Sequence, residues 1–188
     1  MDENMFDDLI KTLNKNKANW EMLNNLLIER DIRPKTILLK EGEVSNSIFY
    51  IKKGCLRMWF NKDGKDITFQ FFFERQAVAS IESFLNKQPS HFYIESVEPS
   101  TVVILDKVNF DLLNKKDPAI EMHIHKILLH RFGNYAKLFL SRIKDTPQER
   151  YEDLIRNNPE IVKRIPQHYI ASYLGISPIS LSRIKNRR

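Results

Sequence analysis

Apolar positions change their spacing along this chain. Over the first thirty residues they fall at helical intervals: Phe6, Leu9, Ile10 and Leu13, then Trp20, Leu23, Leu26 and Leu27. Arg33-Pro34 ends that pattern, because the residue before a proline is pushed away from helical geometry. From residue 35 to 106 the spacing becomes that of strands. Short apolar runs at 36–39, 48–51, 55–61, 67–73, 92–97 and 101–105 are separated by turn residues. Asn61-Lys62-Asp63-Gly64 predicts a tight hairpin, since Asp-Gly supplies the positive φ angles it needs. Many short strands at regular spacing predict a jelly roll or small barrel.

After Asp106 the helical period returns. Asp117-Pro118 predicts a helix start, with proline in the first turn. From residue 119 to about 142, Ile124, Leu128, Tyr135 and Leu138 recur near 3.5 residues, and Ile120, Ile127, Phe132 and Phe139 form a second stripe. A long helix with two apolar faces must bury both. One can pack on the β-roll, and the other needs a second copy of the chain. Gly133 weakens this helix by about 1 kcal/mol relative to Ala and suits a close helix approach. Asp145-Thr146-Pro147 ends it and starts the next element.

The densest local pattern runs from Ile165 to Lys185. Ile170, Ala171 and Leu174 share one helical face, and small Ala171 allows a second helix close by. Gly175 suits the left-handed conformation that stops a helix. Ser177 is an N-cap and Pro178 suits the first helical position. Leu181 and Ile184 anchor the second helix. At about 100° per residue, Ile179, Arg183 and Asn186 then lie opposite them, with Ser182 at the flank. A basic fork, an amide and an apolar contact are the groups that read guanine, adenine and the thymine methyl in a major groove. Ser177 and Ser180 stand where a helix start meets phosphates, and Lys185, Arg187 and Arg188 add charge. A plain helical hairpin with polar outer residues is the blander alternative.

Charge supports the first alternative. Of the net +6, ten Lys/Arg against five Asp/Glu lie between Arg142 and Arg188, and twenty against nineteen lie before them. A basic terminal segment is the electrostatic footprint of a module that meets phosphates. The 188 residues are 42 % hydrophobic, with 12 Phe and 5 Gly, enough for a core. No apolar stretch is long enough to span a membrane and the N-terminus shows no signal run, so a cytoplasmic protein is expected. The single cysteine, Cys55, cannot form an internal disulfide or hold a metal alone, and in its apolar run it is expected to be buried. No metal or other cofactor is expected.

Lys40-Glu41-Gly42-Glu43, the run from Phe49 to Gly54 and the run from Ala171 to Pro178 resemble motifs of the Crp/Fnr transcription regulators, in that family's order, over nearly the whole chain. The subset most resembled is found in Bacteroidetes-type bacteria. The resemblance implies an α+β fold: an N-terminal double-stranded β-helix (jelly-roll) sensor with N-terminal helices over 1–116, a long dimerisation helix over 117–144, and an all-α helix-turn-helix over 145–188. It implies a homodimer on double-stranded DNA. Arg183 matches the family's base-reading Arg, Ser177 and Ser180 its phosphate contacts, and Arg150 a phosphate-contacting Arg at the start of the preceding helix.

Two departures stand out. Members that bind cyclic AMP use a Gly-Glu pair and an Arg-Ser pair. Here Ser90 or His91 stands where the Arg is needed, and the Gly-Glu pair is missing. A buried phosphate without a cationic partner is costly, so an effector other than cyclic AMP is expected. Glu82, Ser83, Ser90 and His91 are the candidates to line its pocket. The chain also stops at Arg188, directly after the second helix, so the wing that many members carry is expected to be absent.

The enzyme alternative is a cupin-type metalloenzyme, which needs two or three histidines and a carboxylate converging from strands. Of His91, His123, His125, His130 and His168, only His91 falls near strands. His123 and His125 lie about 200° apart on a helix and cannot share a metal there. A ligand-binding or protein-binding module without DNA readout is the other alternative.

Overall fold

The structure is a computed structural model and describes residues 26–116 and 118–186. The helical pattern expected up to residue 30 lies mostly outside these residues. Its end is corrected: Ile28–Ile32 is a strand, β1. Four of its five residues are exposed, so no apolar alternation announces it. The backbone ladder makes the strand, pairing Ile28 with Ile104 through Ile32 with Ser100 on β8 (Ser100–Asp106).

Most other strands fall close to the expected runs: β2 (Ile37–Leu39), β3 (Ser47–Lys53), β4 (Leu56–Lys62), β5 (Lys65–Phe72) and β7 (Tyr93–Ser96); the two-residue β6 (Ala77–Val78) matches no expected run. They form two antiparallel four-stranded sheets, ordered β1-β8-β3-β6 and β2-β7-β4-β5. Together they are the jelly-roll expected. The predicted hairpin joins β4 to β5, with Lys62 paired to Lys65 and positive φ at Asp63 and Gly64. Ile51, Leu56, Val78, Ile94 and Val102 fill the space between the sheets without solvent contact. Gly54 has φ +99, and a Cβ there would come 2.7 Å from the Ser100 Cα. Only glycine lets the β3–β4 connection pass under β8.

Seven helices complete the described residues: α1 (Ile81–Asn86), α2 (Lys107–Lys116), α3 (Pro118–Lys144), α4 (Pro147–Asn157), α5 (Pro159–Arg164), α6 (Gln167–Leu174) and α7 (Pro178–Asn186). At 27 residues, α3 is about 40 Å long. Of its two expected stripes, Ile124, Leu128, Tyr135 and Leu138 are half-buried. In the second, Ile127 is half-buried, Phe132 and Phe139 are exposed, and the side chain of Ile120 lies outside the described residues. Met122, Leu129 and Ile143 also stand exposed. With exposed His125 and Ala136 these positions run 122, 125, 129, 132, 136, 139, 143, a strict three-four alternation. Thr146 and Glu149 form a capping box that starts α4, as Asp145-Thr146-Pro147 suggested.

Strand β4 is buried on both faces. Leu56 and Met58 point into the roll, yet Arg57 and Trp59 on the other face are covered as well. Trp59 lies against Tyr93 of β7, and Arg57 lies under the C-terminal helical unit. Cys55 and Phe71 of the roll belong to one core with Tyr151, Leu154, Ile161, Ile165, Ile170, Ala171, Leu174 and Leu181. Cys55 is fully enclosed there, and burial, with the charge of Glu98 added, pushes its thiol pKa up.

Candidate functional site

Helix α6 stops at Gly175, φ +70, whose N–H donates to the Ser172 carbonyl at 3.0 Å. Ser177 caps α7, its Oγ accepting from the Ser180 N–H at 3.1 Å, and the two hydroxyls lie 2.9 Å apart. Ala171 and Leu181 are 0 % and 1 % exposed where the helices cross, which the small alanine permits. The turn and cap therefore fix the rotation of α7. Leu181 faces inward, while Ile179, 66 % exposed, joins Ser182, Arg183 and Asn186 on the outer face. Ser177 is exposed at the helix start, and Ser180 and Lys185 are half-buried at the edge. The structure thus brings the expected base-facing residues together. Arg187 and Arg188 lie outside the described residues.

Arg150 is turned toward its own chain. Its Nη1 donates to the Asp145 carbonyl at 2.6 Å and its Nη2 to the Leu174 carbonyl at 3.1 Å, while Nε is buried without a partner. In this arrangement the guanidinium ties the end of α3 to the end of α6, where a phosphate contact was expected.

The docking of α6 on the roll was not anticipated. Arg57, 1 % exposed, donates from Nε and Nη2 to Glu95 Oε2 at 3.0 and 2.7 Å, and from Nη2 to Asp66 Oδ2 at 2.9 Å. Its guanidinium lies 3.8 Å from the Tyr169 ring centroid, a cation–π contact between sheet and α6. Beside it the Thr68 N–H donates to Ser172 Oγ at 3.0 Å, and Phe71 meets Tyr173 at 5.4 Å. Arg164 of α5 donates to both Glu74 oxygens at 2.9 and 2.8 Å and to Glu98, over the ring of Phe73. An arginine between apolar neighbours in a strand was the one available signal for this contact.

Burial alone would raise the Glu74 carboxyl, but the hydrogen bonds from Arg164 and from the Gly54 N–H outweigh it and hold the pKa at about 2. A depressed carboxylate stabilises the fold above its unfolded pKa and loses that contribution as pH falls toward the folded one. Glu74→Gln should therefore be less heat-stable than the parent at neutral pH, and the gap should close between about pH 4.5 and 2. Thermal unfolding across that range checks it. A gap that persists at pH 2 contradicts the assignment.

Three of the four expected effector residues, Glu82, Ser83 and His91, line a cavity of about 200 Å³ between the roll and α3. Met58, Phe69, Phe92 and Tyr135 make its apolar wall, with Glu82 and His91 also lining it. Ser83 lines it too, but its hydroxyl donates to the Gln88 carbonyl at 2.5 Å and accepts from the Ser45 N–H. Ser90 is not part of the lining. It is buried and bonded to Ser80 Oγ, the Phe92 N–H and the Phe92 carbonyl, where it fixes the loop. No lysine or arginine lines the cavity among the described residues. Arg131 of α3 is spent on the Ala77 carbonyl and the Phe72 ring. These groups do not fit a cyclic phosphate.

Among the described residues, no three or more His, Cys, Asp or Glu gather to hold a metal, and no helix is long and apolar enough to cross a membrane.

Residues 29–117 match the cyclic nucleotide-binding domain family. No curated protein sequence matches the chain. Solved structures match it along most of its length. The c-di-GMP-responsive global regulator CLP of Xanthomonas campestris is 13 % identical, with a TM-score of 0.74, over 92 % of this chain and 91 % of that one. A Eubacterium rectale protein described as of the crp/fnr family is 17 % identical, TM-score 0.74, over 92 % and 82 %. FixK2 of Bradyrhizobium japonicum is 16 % identical, TM-score 0.72, over 86 % and 83 %. Two of these three are described as regulators. Residues 29–117 are thus similar to the cyclic nucleotide-binding domain family, and the chain as a whole has the fold of these solved Crp/Fnr-type structures.

Proposed function

We propose that the protein is a dimeric, sequence-specific DNA-binding transcription regulator whose roll answers to an effector other than cyclic AMP. The observation that carries the DNA assignment is the outer face of α7, where Ile179, Ser182, Arg183 and Asn186 stand free of the core in the most basic part of the chain. Ser177 and Ser180, at the helix start, serve as phosphate contacts, with Lys185 and Arg187 adding charge. Arg150 acts as a positioning residue. Two copies joined along α3 would offer their α7 helices to half-sites roughly 34 Å apart in the cytoplasm, on an operator of two-fold symmetry. An effector works by favouring one arrangement of the long helices over another.

A binding selection on randomised DNA with the purified full chain tests this. A symmetric consensus is expected. Arg183→Ala should cost roughly 1–3 kcal/mol of discrimination at one position of each half-site, with the others retained. Unselective binding would instead favour a roll that serves as a ligand-binding or protein-binding module.

A further inference from the structure

The cavity against α3 has a chemistry of its own. Phe69 meets Phe92 and Tyr135 at centroid distances of 5.1 Å each, so three rings from two strand regions and the long helix enclose one space with Met58. A dry cavity of about 150 Å³ holds a benzene ring, so about 200 Å³ leaves room for a somewhat larger flat molecule. Glu82 and His91, both exposed, are the lining residues with titratable side chains besides Tyr135. The Ser83 hydroxyl is occupied by its own loop.

We propose that this cavity binds a compact aromatic ligand whose head group is a hydrogen-bond donor without negative charge. The claim rests on the reading of the roll as a sensor and names its ligand class. Ring faces attract a flat apolar body and tolerate a cation. The Glu82 carboxylate accepts from a donor and repels an anion, and among the described residues no lysine or arginine in the lining offsets it. Tyr135 makes the occupant touch α3 directly, so ligand and long helix share a contact surface.

Probes built on one ring system separate the terms. The full-length protein, labelled at its methionine methyls with Met58 assigned through Met58→Leu, is titrated with tryptamine, indole, indole-3-acetate and cyclic AMP. Tryptamine and indole should move the Met58 methyl saturably, and tryptamine should bind about tenfold tighter than indole-3-acetate. Cyclic AMP should leave that methyl in place. Glu82→Gln should erase the advantage of tryptamine over indole-3-acetate while indole binds as before. The proposal is overturned if cyclic AMP binds there, if tryptamine and indole-3-acetate bind equally, if Glu82→Gln preserves their order, or if no probe moves Met58. The randomised-DNA selection needs none of these ligands, so the DNA-binding reading stands or falls separately.

Discussion

The parent should be a dimer, and Leu129→Glu together with Phe132→Glu should leave it monomeric at the same concentrations, with operator binding lost as well. Leu129 is 71 % exposed and Phe132 73 % exposed on a single chain. They sit mid-way along the three-four alternation of α3, the spacing at which two parallel helices interlock. Burying these two side chains on both copies is worth on the order of 6–12 kcal/mol, comparable to the rigid-body entropy that association costs. Four carboxylates in their place remove that gain and add mutual repulsion. His125 holds the one polar position of the seam, and a polar residue there sets register at some cost in stability. Light scattering on the double variant, with exposed Lys137→Ala as control, gives the answer. A double variant that stays dimeric places the interface elsewhere.

The second large effect belongs to Arg57. Arg57→Ala should destabilise the protein by about 3–5 kcal/mol, because it strands Glu95, itself 6 % exposed, without a counter-charge. For a chain of this size that is a fall of roughly 6–20 °C in Tm. Arg57→Met combined with Glu95→Leu should recover most of the loss, since removing both charges also removes the burial cost. Calorimetry on the single and double variants decides it. A single variant that melts with the parent would show that the ion pair contributes nothing.

Much of the fold is written in local chemistry. The β4–β5 hairpin follows from Asp63-Gly64, and the α6–α7 turn from Gly175, Ser177 and Pro178, because backbone conformation is decided within a few residues. Those same residues orient α7, so the candidate DNA face could be placed by angular arithmetic alone. Strand β1 could not, because its residues are paired by backbone to β8, some seventy positions away, and offer no apolar pattern. The second stripe of α3 was placed only in part. A helix apolar on two sides leaves its rotation undetermined until one side meets the roll, and here Tyr135 packs on Phe69 while Leu129 stands exposed. Arg150 and Arg57 carry the same lesson for charge. An arginine's partner is set by tertiary placement, and here the partners are carbonyls at two helix ends and a carboxylate across a sheet.

The shared core of Cys55, Phe71 and the C-terminal helices makes each copy one cooperative body instead of two beads on a string. Cut away from the roll, residues 145–188 would turn Tyr169, Ser172 and Tyr173 to water and lose their footing on β5. On the proposed DNA-binding function, loosening strand β5 weakens the grip on an operator without altering a single group on the outer face of α7. Loss of gene control would then arise from lesions far from the double helix, through melting of the platform that holds the reading head level.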